Sequence, residues 1–237
     1  MKMTKFVAIA SAKGGVGKTT TAITLGVALS SYGRDVTLVD CNLTNPNIGL
    51  FLGVPILAAT LHDVLLGKKH ISEATYLHPS GLKLVTGSLS FSNIGEDISG
   101  RLKVALRDLN GTTEIAIIDT AATLGKHAAD AIKAADELII VTNPDLPSVT
   151  DALKTIKLAE EIGVSTIGIV LNKVKNDENE LSAENVESIL EKTIIGIIPH
   201  DDNVRKALFL KHPVAYVNPN APASAAFRKL ASLLVRK

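Results

Sequence analysis

Seven short apolar runs, separated by helix-length stretches, constrain the fold of this chain more than any other feature of its sequence. The runs occupy 5–11, 35–40, 82–87, 114–120, 137–143, 166–172 and 193–199. They are apolar and β-branched on consecutive positions, which is typical of strands buried on both faces of a parallel sheet. Helical periodicity is found at 19–31, 98–109, 124–135, 148–162, 182–192, 201–211 and 221–236. The sequence therefore predicts an α/β fold, a doubly wound, mostly parallel β-sheet flanked by helices on both faces.

No linker, repeat or low-complexity run interrupts this alternation, so we expect a single domain over 1–237. Only 3% of the residues are aromatic and the net charge is +1, which argues against base-stacking folds and gives no overall sign of a nucleic-acid binder. The single cysteine, Cys41, excludes an internal disulfide. With no signal-peptide pattern and no apolar run of about 20 residues, we expect a cytoplasmic protein.

The stretch SAKGGVGKTTT, residues 11–21, follows the first predicted strand and opens the first helix. This is the position of a phosphate-binding loop, although Ala12 stands where the usual pattern has a glycine. Glycines let backbone amides approach phosphate oxygens, Lys18 can bridge the β- and γ-phosphates, and Thr19 can offer its hydroxyl to Mg²⁺. The predicted nucleotide-binding residues of the loop are Gly14, Gly15, Val16, Gly17, Lys18, Thr19 and Thr20.

Asp119 ends the apolar run 114–120. An aspartate at the end of a strand is often only a turn cap. Beside a phosphate loop it is more simply explained as the second carboxylate of the site, which holds a water on Mg²⁺.

The segment KGGVGKTT resembles the deviant Walker A motif of the MinD/ParA ATPases, whose hallmark is an extra lysine, here Lys13. The resemblance extends over nearly the whole chain and is strongest to archaeal-type MinD. GRDVTLVDCNLTNPNIGLFLG resembles the first switch, AIIDTAATLG the second, and GIVLNKV with GIIPHDDNVRKA the base-binding end. The resemblance implies a P-loop NTPase with ATP and Mg²⁺ as ligands and ATP hydrolysis as the reaction.

In that family two ATP-bound subunits face each other, which implies that Lys13 acts in trans on the phosphates of a partner. A phosphate contact within the same chain and a solvated lysine are the alternatives. Asp151 resembles an acidic residue of the dimer interface, but it would also suit an exposed helix face. Asn172 resembles the residue that hydrogen-bonds adenine. The backbone lining the base would be that of Pro199, His200 and Asp201.

The first switch of the family reads Asp-x-Asp, and here Asp40 is followed by Asn42. The resemblance gives Asp40 a metal-binding and catalytic role and makes position 42 the one that orients the attacking water. Loss of such a group commonly reduces the rate about 10²–10⁴-fold. A natural slow enzyme, an engineered Asp→Asn change and a catalytic partner all remain open, and the retained surroundings, including Asn47, favour the engineered change. The second switch also departs from the family pattern, at 121 and 123.

The C-terminal segment SAAFRKLASLLVRK combines the apolar side chains of Phe227, Leu230, Leu233 and Leu234 with the basic ones of Arg228, Lys229, Arg236 and Lys237. A helix of this kind could bind the inner face of a membrane reversibly. Packing of its apolar face on the domain is the simpler interpretation.

Three functions follow. The first is an ATP-dependent, homodimerising switch for intracellular positioning, as in cell division or the placement of polar complexes, with an activating or polar protein partner. The second is a ParA-like partition ATPase whose dimer binds DNA non-specifically. The near-neutral charge of the chain makes this hypothesis weaker than the first. The third, a metallocluster carrier, is disfavoured by the lone Cys41.

Overall fold

The computed structural model describes residues 3–54, 56–90, 98 and 100–235. The strands are β1 (Lys5–Ala10), β2 (Val36–Cys41), β3 (Thr75–Leu77), β4 (Lys83–Val85), β5 (Ile115–Thr120), β6 (Glu137–Thr142), β7 (Ser165–Val174) and β8 (Ile194–Pro199). The helices are α1 (Lys18–Ser31), α2 (Ile48–Phe51), α3 (Leu61–Leu65), α4 (Leu102–Arg107), α5 (Lys126–Lys133), α6 (Leu146–Ile162), α7 (Ala183–Leu190), α8 (Asp202–Phe209), α9 (Val214–Val217) and α10 (Pro222–Val235).

The strands form one eight-stranded sheet in the order β3-β4-β2-β5-β1-β6-β7-β8. All neighbouring pairs are parallel except β3 and β4. The predicted α/β fold is therefore confirmed. The sequence prediction missed β3, whose three residues are too few to show a period.

One predicted helix, 98–109, was too long. Helix α4 covers only Leu102–Arg107, and residue 99 lies outside the described residues. Ile98 is buried in the core but is not helical. Its apolar side chain fitted the helical period, and the predicted helix therefore began too early.

Apolar core lies on both faces of the sheet. Successive residues of β1 alternate between two clusters: Ala8 and Ala10 face helices α4 to α7, whereas Val7 and Ile9 face α1 and α10. This alternation is the period of two of a strand covered by helices on both sides. It explains why residues 6–10 of β1 are apolar without a break.

Helix α10 packs against the domain. Phe227 and Leu230 are each 1% exposed and belong to the apolar cluster that includes residues of α1 and β8, while Leu233 is 43% exposed. The packed alternative for this segment is thus the one found, and Arg236 and Lys237 lie outside the described residues. Within the described chain, no helix has both the length and the hydropathy needed to cross a bilayer.

The parallel strands bring the carboxyl ends of β1, β2 and β5 together. Asp40 of β2 lies beside Asp119 of β5, which pairs with Ile9 of β1 just before the phosphate loop. Ligands of open α/β sheets bind at this edge.

Candidate nucleotide-binding site

The phosphate loop connects β1 to α1 through two glycines in the left-handed region. Gly15 has φ 77° and Gly17 has φ 102°, conformations that L side chains rarely adopt. Gly17 is also the N-cap of α1, so the first free amides of the helix face the loop. Lys18 turns its ammonium inward and donates to the carbonyl of Lys13 at 3.0 Å. Burial lowers the pKa of Lys18, and Asp119 counters this shift in part.

A cleft of about 530 Å³ opens beside this loop. Ten of the residues predicted from the sequence line it: Gly15, Gly17, Lys18, Thr19, Thr20, Asn42, Asn172, Pro199, His200 and Asp201. The side chain of Phe51 and the apolar side chains of α8 add to its wall. The cleft therefore combines a phosphate-binding end with an apolar end, as a nucleotide requires.

Thr19 and Asp119 form the candidate metal position. The Thr19 hydroxyl donates to Oδ2 of Asp119 at 2.7 Å, and Oδ1 of Asp119 is buried with no hydrogen-bond partner among the described residues. Burial, with a contribution from Asp40, raises the pKa of Asp119 to about 8. Mg²⁺ prefers oxygen ligands and one or two carboxylates, so a vacant carboxylate oxygen beside a threonine hydroxyl suits it.

Asp40 directs both carboxylate oxygens at backbone amides. Oδ2 accepts from Asn47 at 2.8 Å and from Ile48 at 3.0 Å, and Oδ1 accepts from Asn42 at 3.2 Å. The side chain is fully buried, and this burial raises its pKa to about 6. Asp40 thus anchors the loop that follows β2, while its metal-binding and catalytic roles stay predictions.

Asn42 closes a tight turn within that loop. Its Nδ2 donates to the carbonyl of Asn45 at 2.7 Å, and its Oδ1 accepts from the Asn45 amide at 3.4 Å. An aspartate could make the second contact but would place an oxygen against the Asn45 carbonyl. The amide therefore favours this loop conformation.

Lys13 turns away from the cleft of its own chain. Its ammonium lies 2.9 Å from Oδ1 of Asp145 and 2.9 Å from the hydroxyl of Ser148, at the start of α6. Asp145 is also the N-cap of that helix, accepting from the Ser148 amide at 2.8 Å. The lysine is therefore paired within its own chain here, and whether it contacts the phosphates of a partner stays a prediction. Sequence reasoning missed both partners, although NPDLPS at 143–148 carries the Asp-x-x-Ser spacing of an N-cap.

Asp151 lies one turn further along α6. It forms an ion pair with Lys154 at 3.0 Å on the helix surface. This matches the exposed-face alternative, and a role at a dimer interface stays a prediction.

Two residues at the end of β7 hold the phosphate loop from the other side. Asn172 donates from Nδ2 to the carbonyl of Val16 at 2.7 Å. Lys173 donates from Nζ to the carbonyl of Gly15 at 2.6 Å. Lys173 has φ 60° and lies where the β7–β8 register shifts, between Asn172 and Val174. Sequence reasoning missed Lys173, and the only signal was its position in NKV directly after the strand.

Three residues at the end of β8 form the far wall of the cleft. Asp201 is the N-cap of α8, since its Oδ1 accepts from the Asn203 amide at 2.9 Å. Its Oδ2 accepts from the Ala223 amide at 3.0 Å and so joins α8 to α10. Pro199 and His200 precede it, and their part in binding a base stays a prediction.

Comparison with known proteins places these features in context. Residues 7–214 match the family described as the CobQ/CobB/MinD/ParA nucleotide binding domain. An uncharacterized ATP-binding protein of Methanocaldococcus jannaschii is 38% identical over 97% of this chain and 87% of its own length. The crystal structure of the cell division ATPase MinD of Pyrococcus furiosus superposes with a TM-score of 0.94 at 30% identity, over 100% of this chain and 99% of that one. The septum site-determining protein MinD of Pyrococcus horikoshii, complexed with Mg-ADP, gives 0.94 at 31% identity over 98% and 96%.

Proposed function

The chain belongs to the CobQ/CobB/MinD/ParA nucleotide-binding family, and from that premise we propose that it is an ATP-dependent dimerising switch for intracellular positioning. ATP bound between two subunits would hold the dimer together, and hydrolysis would release it. The similarity to a septum site-determining MinD supports a positioning role. The cargo and the protein partner would be recognised by the dimer and not by the free subunit.

The position of Lys13 is the observation that carries this proposal. The phosphate loop has two lysines, and only Lys18 lines the cleft of its own chain. The ammonium of Lys13 lies outside that cleft, in a pair that is 34% and 43% exposed on its lysine and aspartate side chains. An exposed ion pair contributes about 0–1 kcal/mol, so a second subunit that presents phosphates can displace it. The lysine would then neutralise charge in the site of the partner.

Within one chain, we assign nucleotide binding to the loop amides, to Lys18 and to the apolar end of the cleft. Thr19 and Asp119 would hold Mg²⁺, which when bound neutralises charge on the β- and γ-phosphates. Asp40 would keep the loop of Asn42 in place through its three amide contacts. Asn42 would orient the attacking water only weakly, because it has no charge and cannot accept a proton. We therefore propose that hydrolysis is slow in this chain.

Sedimentation velocity with ATP–Mg²⁺ and with ADP–Mg²⁺ tests the proposal. The parent chain is expected to dimerise only with ATP. Lys13→Gln is expected to stay monomeric while it still binds a fluorescent ATP analogue, because Lys18 and the loop are unchanged. Lys69→Gln removes the lysine of another exposed ion pair, with Glu73, and should dimerise normally. An ATP-bound parent chain that remains monomeric would refute the switch.

A further inference from the structure

Two buried histidines contact the segment that follows β2. We call residues 42–52 the β2–α2 segment, because it runs from the end of β2 to the C-cap of α2. His62 near the start of α3 and His78 directly after β3 are each 5% exposed. Neither imidazole is among the described residues that line the nucleotide cleft. Any effect of these histidines on the nucleotide must therefore pass through the residues that they contact.

His62 holds the start of the β2–α2 segment. Its Nδ1 accepts from the Ser88 amide at 3.0 Å, and its Nε2 lies 3.1 Å from the Leu43 carbonyl. A backbone amide can only donate, so Nδ1 carries no proton and Nε2 donates to Leu43. Burial lowers the pKa of His62, and the hydrogen bond to Leu43 opposes this shift in part. The ring is therefore neutral in this arrangement.

His78 repeats the arrangement at the other end of the segment. Its Nδ1 accepts from the Ser80 amide at 3.1 Å, and its Nε2 lies 3.2 Å from the Leu52 carbonyl. By the same reasoning Nε2 carries the proton and donates to Leu52. Burial lowers the pKa of His78 as well, against the effect of this hydrogen bond. Two neutral rings thus bind the two ends of one segment.

The backbone around both histidines is anchored in the domain. The residue before His62, Leu61, donates its amide to the Thr86 carbonyl at 2.8 Å. The amide of His78 donates to the Leu82 carbonyl at 2.8 Å. The side chains of Leu61 and Leu82 are fully buried. The histidines are therefore fixed through their backbones, and they fix the segment through their side chains.

The β2–α2 segment faces the nucleotide cleft beside both contacts. Asn42, which lines the cleft, precedes Leu43, and Phe51 of its wall precedes Leu52. A displacement of about 1 Å at a reacting group can cost about 10²-fold in rate. An apolar wall residue such as Phe51 contributes to binding. The contact at Leu43 therefore bears on the rate, and the contact at Leu52 bears on affinity.

We propose that His62 and His78 are positioning residues of the nucleotide site, which act on ATP only through the β2–α2 segment. His62 controls the rate of hydrolysis through Asn42, and His78 controls the affinity for ATP through Phe51. Neither ring acts as an acid or a base on the nucleotide, because both nitrogens of each ring are engaged by backbone groups. The role of position 42 rests on the function proposed above.

Asparagine and glutamine separate the two contacts of each ring. The amide of asparagine reaches as far as Nδ1 and can accept there, whereas that of glutamine reaches as far as Nε2 and can donate to the segment. His62→Asn and His78→Asn should therefore lose the contact to the segment, and His62→Gln and His78→Gln should keep it. His70→Asn is the matched control, because His70 is exposed and its ring contacts Ser72 and Asp108 instead.

Rate and affinity are measured separately. Single-turnover hydrolysis of ATP labelled on its γ-phosphate gives the rate, and calorimetric titration with a non-hydrolysable ATP analogue gives the affinity. His62→Asn is expected to lower the rate about tenfold and to change the affinity less than about twofold. His78→Asn is expected to lower the affinity about fivefold and to change the rate less than about twofold. His62→Gln, His78→Gln and His70→Asn should match the parent chain.

Hydrogen exchange with ADP–Mg²⁺ tests the His62 contact without hydrolysis or dimerisation. The Asn45 amide donates to Asn42 and the Asn47 amide donates to Asp40, so both report on the order of the loop. Both amides should exchange about tenfold faster in His62→Asn than in the parent chain. They should be unchanged in His62→Gln.

Several results would overturn the proposal. Exchange and rate in His62→Asn equal to those of the parent would do so, as would an unchanged affinity in His78→Asn. Equal effects of asparagine and glutamine at either position would show that the contact to the segment has no role. A lower melting temperature with unchanged rate and affinity would leave the histidines a purely structural role. An ATP-bound parent chain that stays monomeric or releases no phosphate refutes the switch instead, while exchange and affinity still decide the role of the histidines.

Discussion

The ammonium of Lys13 lies 2.9 Å from the carboxylate of Asp145, so the phosphate loop is joined to the start of α6 within one chain. Burial raises the pKa of Asp145, but hydrogen bonds from Ser148 and Lys13 outweigh it and leave the pKa below its usual value. The same aspartate thus caps a helix and holds the lysine. If Lys13 acts on a second subunit, this contact must break first.

Asp145→Asn is expected to strengthen ATP-dependent dimerisation modestly. Asparagine still caps the helix, and the lysine is released from an exposed ion pair that contributes about 0–1 kcal/mol, which corresponds to at most about fivefold in affinity for each lysine. Dimer dissociation constants from sedimentation equilibrium at saturating ATP would measure it. Glu160→Gln, which removes another exposed carboxylate of α6, should have no effect. Weaker dimerisation of Asp145→Asn would mean that the contact supports the active arrangement.

Asn42→Asp is expected to increase ATP turnover by about 10²-fold or more. Aspartate at position 42 cannot donate the hydrogen bond that Nδ2 of Asn42 makes to the Asn45 carbonyl, so the turn should open. The freed carboxylate can then orient and polarise the attacking water. Steady-state phosphate release is the measurement, and Asn45→Asp is the control for added charge in the same loop. Equal rates for the parent and Asn42→Asp would show that position 42 does not limit hydrolysis.

Without nucleotide or Mg²⁺, the protein should lose stability as the pH rises. Burial raises the pKa of Asp40 to about 6 and of Asp119 to about 8, above the value of about 4 expected for an unfolded chain. The folded state then binds protons more tightly than the unfolded state. Its stability is therefore greatest below the unfolded pKa of about 4, and it is lost as the pH rises through the folded pKa values of about 6 and about 8.

Melting temperatures measured in a chelator from pH 5 to pH 9 would follow this loss. Asp119→Asn should flatten the upper part of the curve, since its side chain cannot ionise. Added Mg²⁺ should stabilise the parent but not this variant at high pH. Asp177→Asn changes an exposed carboxylate and should leave the profile unchanged. A parent curve that rises toward pH 9 would contradict the assignment.

Lys173→Met should weaken nucleotide binding without unfolding the chain. The ammonium holds the Gly15 carbonyl, and a thioether cannot, so the loop should become less ordered. We expect about a three- to tenfold loss of ATP affinity, in line with about 1 kcal/mol for a hydrogen bond from an exposed charge. Isothermal titration with an ATP analogue is the test. Lys175→Met, two residues on, should bind normally, and identical affinities for the two variants would remove Lys173 from the site.

Leu230→Ala should reduce the free energy of unfolding by about 2–5 kcal/mol, because the side chain is buried against β8 and α1. Leu233→Ala, at a position that is 43% exposed, should cost less than about 1 kcal/mol. Urea denaturation distinguishes the two. Equal, small effects would mean that α10 is not part of the folded core.

The sequence predicted the fold class because buried parallel strands are apolar on consecutive positions, as 6–10 of β1, 115–118 of β5 and 138–141 of β6 are. It predicted the phosphate loop because left-handed glycines and a helix start leave a local pattern. It did not predict the partners of Lys13, since Asp145 lies 132 residues away and only the packing of α6 brings it near. The sequence did not predict the contact of Lys173 for a similar reason, because that contact depends on a register shift between two strands.

Asn172 occupies the space that a β-carbon at Gly17 would take. Gly17 also has φ 102°, so this position rejects a side chain for two separate reasons. Replacement of Asn172 by a smaller residue would remove only one of them. Among natural relatives, we therefore expect substitutions at position 172 to be far more frequent than at position 17, and any variant with a larger residue at 17 to carry a compensating change at 172.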